Sequence, residues 1–235
     1  MHITPDDILF QDEVMIAVNK PVDLPVHKND FMPADAEYLT KQVGQLTDKP
    51  VFPVHRLDSK TSGVIVLAFS REIAGVLSQQ FEQRQVKKTY LLLAKGVPGE
   101  GVFDKNVLIK KKKKRQAAKT AYKTISSIET GICYKQEENV SISLVRATPE
   151  TGRWHQLRQH FAMNRTDILG DTQHGDWTLN KIMTEITGVK RLLLHAASLE
   201  LSHPLNQEKL SLEAKMPEAY DVVLTQLSGA QYSLA

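Results

Sequence analysis

One apolar run constrains the fold of this chain more than any other segment. Residues 62–69, Ser-Gly-Val-Ile-Val-Leu-Ala-Phe, are rich in β-branched side chains and carry no charge. A continuous apolar stretch of this length is typical of a strand buried on both faces. Ser70 is placed to cap a helix whose inner face carries Ile73, Leu77 and Phe81. We therefore expect a buried central strand followed by a helix.

The remaining segments alternate between strand and helix patterns without a regular βαβ order, and no linker divides them. This order predicts a single α+β domain over residues 1–235, built on a large mixed, mainly antiparallel sheet with flanking helices. Gly96 to the lysine run is expected to be a loop. Strands are expected at 8–19 (two, around Gln11-Asp12-Glu13), 86–95, 121–128, 140–147, 192–201 and 209–214, and helices near 36–46, 154–161 and 217–227.

Basic residues are concentrated in one segment, although the net charge of +3 is small. No acidic residue occurs between Asn106 and Ile128. Two interpretations are open: a solvated loop with no partner, or a segment that contacts the phosphates of a nucleic acid. The basic side chains of the run are Lys110, Lys111, Lys112, Lys113, Lys114 and Arg115.

Cysteine content and hydropathy limit the cellular setting. Cys133 is the single cysteine, so an internal disulfide is excluded, and this fits a reducing compartment. No apolar run has the length of a membrane span, and the first residues lack the apolar core of a secretory signal. We expect a cytoplasmic protein without membrane contact, and a monomer.

The strongest chemical signal is His55-Arg56-Leu57-Asp58-Ser59-Lys60-Thr61-Ser62-Gly63. It places an arginine and an aspartate in a loop directly before the buried strand. Reactive side chains are often held in loops at the ends of rigid elements. The spacing alone favours a surface Arg–Asp pair at a strand end.

This nonapeptide resembles the HRLDxxTSG signature of the RluA family of pseudouridine synthases. Further segments resemble the family in the same order, so the resemblance runs from about Ile8 to Ala214. It implies a pseudouridine-synthase-type domain with a central catalytic cleft. No S4 RNA-binding domain is expected, because strand-like sequence begins by Ile8. Asp23 is a departure, since the family usually has glycine there. The other matching segments are 18–21 (VNKP), 87–90 (KKTY), 152–158 (GRWHQLR), 169–171 (LGD) and 193–196 (LLHA).

The resemblance implies roles for individual residues. Asp58 would begin cleavage of the uridine glycosidic bond, either by attack on C1′ or by abstraction of the C2′ proton. Tyr90 would stack on the flipped uracil, Arg158 would pair with Asp58 and keep it ionised, and Arg56 would fill the space left by the base. No cofactor or metal is implied. The residues expected to bind RNA are Arg56, Lys111, Lys112, Lys113, Lys114, Arg115, Arg153 and His155.

Several alternatives stay open on sequence. His155 and His160 are five residues apart, which does not match the helical spacing of a zinc motif, so no metal site is expected. Segments such as ILFQDE and GDTQHGD are similar to a family member that modifies transfer RNA, which favours tRNA as the substrate. A ribosomal RNA or dual-substrate enzyme is the first alternative. An RNA-binding or RNA-folding module without catalysis is the second.

Overall fold

The computed structural model describes residues 2–28, 32–109, 114–135, 139–228 and 232–233. None of the helices in these residues is long and apolar enough to cross a membrane. The helices are α1 (Leu39–Thr47), α2 (Arg71–Glu82), α3 (Gln156–Met163), α4 (Trp177–Thr187) and α5 (Ala219–Leu227). The strands are β1 (Ile8–Gln11), β2 (Met15–Lys20), β3 (Phe52–Pro53), β4 (Ser62–Ala68), β5 (Lys87–Lys95), β6 (Glu100–Asp104), β7 (Val107–Leu108), β8 (Arg115–Gln116), β9 (Lys119–Glu129), β10 (Ile132–Cys133), β11 (Ser141–Pro149), β12 (Leu194–Ser202), β13 (Lys209–Glu213) and β14 (Tyr232–Ser233).

The chain divides into two compact units, and the first comprises Met1–Lys88 and Ala196–Lys215. In this unit β1, β2 and β4 are adjacent antiparallel strands, and β12 pairs antiparallel with β13. All seven residues of β4 are buried, which confirms the buried strand predicted from its apolar run. Ser70 caps α2 by accepting a hydrogen bond from the Ile73 backbone. Apolar side chains of β2, β4, β12 and α2 form the core of the unit.

The second unit comprises Thr89–His195 and Met216–Ala235. Its strands have the order β5-β11-β9-β6, and each neighbouring pair is antiparallel. One apolar cluster contains side chains of α4 and α5, including the buried Tyr220. A second cluster packs Leu157 and Phe161 of α3 against β5 and β11. The second cluster therefore fixes α3 on the sheet.

The predicted α+β class and mainly antiparallel mixed sheet are confirmed. The loop expected after Gly96 is wrong in part, because it contains β6 and the β7–β8 hairpin. Helix α4 was not expected, although its sequence carries the signals: Asp176 caps it and Leu179, Ile182 and Met183 line its buried side. Description as a single domain stays a prediction.

Candidate active site

The Asp58 loop, residues 54–61, connects β3 with β4 in the first unit. Asp58 is half-buried, Leu57 is buried and Arg56 is exposed. The Asp58 carbonyl accepts a hydrogen bond from the Thr61 backbone at 3.0 Å, which closes a tight turn. The turn leads directly into the buried strand β4. Asp58 is therefore held close to the start of a fully buried strand.

Lys20 is hydrogen-bonded to the backbone of the Asp58 loop. Its side chain is fully buried, and its ammonium donates to the carbonyls of Pro21 (2.7 Å), Leu24 (3.0 Å) and Ser59 (3.1 Å). A buried ammonium is costly unless its donors are satisfied. Three carbonyl acceptors meet that need, and one of them follows Asp58 directly. Lys20 therefore ties the Lys20-Pro21 turn to the Asp58 loop.

Asp23 explains how this chain departs from the expected glycine. Its φ of 63° lies in the left-handed region, which glycine adopts readily and aspartate tolerates better than most residues. Its carboxylate also forms an ion pair with Lys60 at 2.7 Å. The turn is thus kept without glycine.

His55 fixes the beginning of the Asp58 loop. Its Nε2 accepts a hydrogen bond from the Val66 backbone at 3.0 Å, and its ring stacks on Phe81 of α2 with centroids 4.4 Å apart. Burial, with a smaller contribution from the charge of Lys88, lowers the pKa of His55 to about 3. The neutral ring is therefore a structural acceptor between β4 and α2.

Arg158 is buried in α3 of the second unit and holds Asp171 through two hydrogen bonds. Its Nε donates to Oδ2 and its Nη2 donates to Oδ1, both at 2.7 Å. Oδ1 also accepts the backbone N–H groups of Gln173 and His174. Burial raises the pKa of Asp171, but Arg158 and these N–H groups outweigh it and lower the pKa below its ordinary value. The Arg158 guanidinium and the Asp171 carboxylate are therefore both charged.

Two histidines extend this pair into what we term the Arg158 network, comprising Arg158, Asp171, His155 and His174. His155 Nε2 lies 2.9 Å from Arg158 Nη1, and His155 Nδ1 lies 2.9 Å from His174 Nε2. Trp154 stacks on the His155 ring with centroids 3.9 Å apart and meets His174 edge to face. His155 adopts a left-handed backbone conformation, φ 49°, just before α3. This conformation brings its ring back to Arg158.

The loop that carries Asp171 is fixed by Asn180 of α4. The Asn180 side chain accepts from the Gly170 backbone at 2.7 Å and donates to the Asp171 carbonyl at 3.0 Å. Gly170 has φ +74°, and a Cβ there would lie 1.8 Å from the Arg191 carbonyl oxygen. Only glycine fits that position without a backbone shift. The unexpected helix α4 therefore holds the network in place.

Tyr90 lies on β5 in the same unit as Arg158, opposite Ala147 of β11. It is half-buried and packs against the apolar cluster that also contains Leu157 and Phe161 of α3. The predicted catalytic residues are thus distributed over both units, with Asp58 in the first and Tyr90 and Arg158 in the second. The pairing of Arg158 with Asp58 stays a prediction.

The residues expected to bind RNA are placed as follows. Arg56, Lys114, Arg115 and Arg153 are exposed. Both ring nitrogens of His155 lie within the Arg158 network. Lys111, Lys112 and Lys113 lie outside the described residues.

The buried amide of Gln159 attaches the β7–β8 hairpin to α3. Gln159 accepts from the Leu108 backbone N–H at 2.8 Å and donates to the Leu108 carbonyl at 3.3 Å. Arg115 of β8 donates to the Asn106 carbonyl at 3.2 Å. This hairpin connects the basic segment with the helix that carries Arg158.

Sequence reasoning identified Arg158 but missed its partner Asp171. It also missed His174, which contacts His155, and Asn180, which holds the Asp171 loop. Asp171 is a buried carboxylate that pairs with Arg158. A signal was present, since a buried arginine needs an acidic partner and Asp171 follows α3 closely. Within the described ranges, no group of three or more His, Cys, Asp or Glu side chains is placed to hold a metal ion.

Comparison with known proteins defines the class. Residues 14–163 match the family described as RNA pseudouridylate synthase. The chain therefore belongs to the RNA pseudouridylate synthase family, and the resemblance to its RluA type is confirmed.

Two relatives and one solved structure show in more detail what this chain is similar to. The chain is 37% identical to tRNA pseudouridine synthase C of Pasteurella multocida (strain Pm70), over 91% of this chain and 93% of the relative. It is 36% identical to tRNA pseudouridine synthase C of Yersinia pestis, over 94% of this chain and 90% of the relative. Among solved structures it is similar to human RNA Pseudouridylate Synthase Domain Containing 4, with a TM-score of 0.71 and 29% identity, covering 94% and 93% of the two chains.

Proposed function

We propose that this protein isomerises uridine to pseudouridine in transfer RNA. The observation that carries the proposal is similarity at 37% identity, over nine-tenths of both chains, to a protein named tRNA pseudouridine synthase C. The fixed positions of the Asp58 loop and of Arg158 support it, because a flipped base needs a rigid site. The proposed class is an isomerase that needs no cofactor.

In the proposed reaction Asp58 opens the N1–C1′ bond of the target uridine. The carboxylate either attacks C1′ or removes the C2′ proton, and both routes release the uracil from the sugar. The uracil then rotates and forms the C5–C1′ bond. In the first route this displaces the Asp58 carboxylate from C1′, and in the second route a proton returns to C2′. C5 then loses its proton, and N1, which has lost its bond to the sugar, gains one. Atoms and electrons balance without an oxidant. The Lys20 and His55 contacts fit this role because they immobilise the loop backbone on both sides of Asp58.

Tyr90 and Arg158 are proposed to act on the same uridine. Tyr90 would stack on the freed uracil, and base–aromatic stacking is worth roughly 1–3 kcal/mol. Arg158 would stabilise the ionised form of Asp58 through its guanidinium charge. Arg56 would occupy the gap left by the base, and its exposure suits that task. Lys114, Arg115, Arg153 and His155 are proposed RNA contacts, with Lys111, Lys112 and Lys113.

The test of the proposal is tritium release from tRNA transcripts labelled at uridine C5. We expect wild-type protein to release tritium and Asp58→Asn to release none, because an amide can neither attack nor abstract a proton. Binding of the transcript by Asp58→Asn should stay near wild type, since phosphate contacts supply most affinity. Substantial release by Asp58→Asn would contradict the assignment of Asp58.

The same assay separates the alternatives. Release from ribosomal RNA fragments but not from tRNA would favour the ribosomal substrate, and release from both would favour a dual-substrate enzyme. Binding of RNA without release by wild-type protein would favour an RNA-binding or RNA-folding module. The monomeric state and the cytoplasmic location expected from the sequence stay predictions.

A further inference from the structure

We propose that His174, acting through His155 and together with Asp171, positions the Arg158 guanidinium for the isomerisation. The inference deepens the proposed function and rests on it. It assigns His155 and His174 as positioning residues, in addition to any contact they make with RNA. The whole Arg158 network lies within the second unit.

The donors of arginine determine the proton positions in the network. A guanidinium has five N–H donors and no acceptor, so Arg158 Nη1 must donate to His155 Nε2. His155 Nε2 is then unprotonated, and its proton is on Nδ1. That Nδ1–H donates to His174 Nε2 at 2.9 Å, so His174 carries its ring proton on Nδ1. Each hydrogen bond in this series is thus donated from the Arg158 side and accepted on the His174 side. Both imidazole rings must be neutral for this pattern to form.

This direction gives His174 a specific task. An acceptor at His174 Nε2 selects the Nδ1–H tautomer of His155, and only that tautomer offers Nε2 to Arg158. Asp171 binds Nε and Nη2 of the same guanidinium at 2.7 Å. Three of its five N–H groups are therefore used to fix its plane and rotation. The directions of the other two N–H groups are set as a consequence.

Position and burial fit a positioning role better than a purely structural one. Arg158 and Asp171 have side-chain exposures of 5% and 1%, so their geometry is shielded from competing water. A buried bidentate pair would already satisfy the charge of Arg158 without a histidine. The two histidines additionally fix the direction of the Arg158 Nη1 group. Trp154 stacks on the His155 ring and so restricts its rotation.

A matched pair of variants tests the inference. In His174→Gln the amide oxygen replaces Nε2 as an acceptor, whereas in His174→Leu no acceptor remains. We expect the single-turnover rate at saturating tRNA to stay near wild type for His174→Gln. For His174→Leu we expect it to fall roughly three- to tenfold, the effect of removing one hydrogen bond. RNA affinity and the thermal unfolding midpoint should be similar in the two variants.

The same pair is then measured in an Arg158→Lys background. Lysine cannot hold Asp171 and His155 together in the planar geometry of arginine. If His174 acts through Arg158, His174→Leu should cost no further rate in that background. If the role of His174 were purely structural, His174→Leu would reduce the single-turnover rate by the same factor in both backgrounds.

Equal rates for the Gln and Leu variants, or an additive loss in the Arg158→Lys background, would overturn the inference and leave the proposed function intact. An Arg158→Lys protein with the single-turnover rate of wild type would also overturn the inference, because the orientation of the guanidinium would then have no effect on the reaction. Wild-type protein that releases no tritium would overturn the proposed function and this role together.

Discussion

His55 shows how one residue of the signature supports the loop rather than the chemistry. Its ring accepts the Val66 N–H, stacks on Phe81 and has its pKa lowered to about 3. His160 resembles it: burial lowers its pKa, and its Nε2 donates to the Lys105 carbonyl. Both rings are neutral supports in the folded protein.

The His55 environment predicts a pH dependence of stability. A folded pKa of about 3, against an ordinary value of 6.5, means that the unfolded chain binds the extra proton first. The stability contribution is complete above pH 6.5 and is lost as the pH falls toward 3. His55→Gln keeps an acceptor for Val66 and removes this titration. The free energy of unfolding should then fall less steeply with decreasing pH, by up to about 1.4 kcal/mol per pH unit.

Urea denaturation of wild type and His55→Gln between pH 7 and pH 4 measures both slopes. Identical slopes would show that His55 is not held neutral in the fold. The variant itself is expected to be less stable at pH 7, because it loses the stacking on Phe81.

Among the secondary-structure elements, the β7–β8 hairpin connects the basic segment to α3 through Gln159. If Lys111–Lys114 contact phosphates, changing all four to glutamine should weaken tRNA binding several-fold. It should also reduce the slope of log affinity against log salt by roughly 0.7–0.9 for each phosphate that is no longer neutralised. The single-turnover rate at saturating tRNA should change little, since no catalytic group is removed.

A control variant of equal charge change makes this prediction specific. Its four exposed lysines lie outside the basic segment, so it should alter the salt slope less. Binding titrations at several salt concentrations compare the two variants, and equal slopes would remove the basic segment from the RNA interface. The control changes Lys181, Lys190, Lys209 and Lys215 to glutamine.

The sequence predicted elements well where a local pattern determined them. The buried strand β4 and the Ser70 cap of α2 are confirmed. Both were predictable because their signals lie in residues that are adjacent in the sequence. The β7–β8 hairpin was missed because its strands have two residues each and depend on contacts with Gln159. Helix α4 had a sufficient pattern that was overlooked.

The site was predictable in its motifs but not in its connections. The resemblance supplied Asp58, Tyr90 and Arg158 as residues, whereas nothing local in the sequence indicated that His155 lies between Arg158 and His174. That arrangement depends on the left-handed conformation of His155 and on the return of the chain to Asp171. These contacts depend on the path of the backbone between residues 155 and 174, which a residue pattern along the chain does not specify.

Across the whole molecule, the proposed catalytic residues come from both units. Asp58 belongs to the first unit, and Tyr90 and Arg158 belong to the second. The family match, residues 14–163, contains all three. The similarity to relatives named tRNA pseudouridine synthase C extends over more than nine-tenths of the chain. One reaction on one uridine is therefore proposed for the whole chain rather than for either unit.

The central claim is that this protein makes pseudouridine in transfer RNA, and pseudouridine mapping tests it most directly. Transfer and ribosomal RNA would be mapped from cells that have the gene, from cells that lack it, and from lacking cells that carry either wild-type or Asp58→Asn protein. We predict that at least one tRNA pseudouridine disappears without the gene, returns with wild type and does not return with Asp58→Asn. An unchanged tRNA map, a loss confined to ribosomal RNA, or restoration by Asp58→Asn would contradict the account.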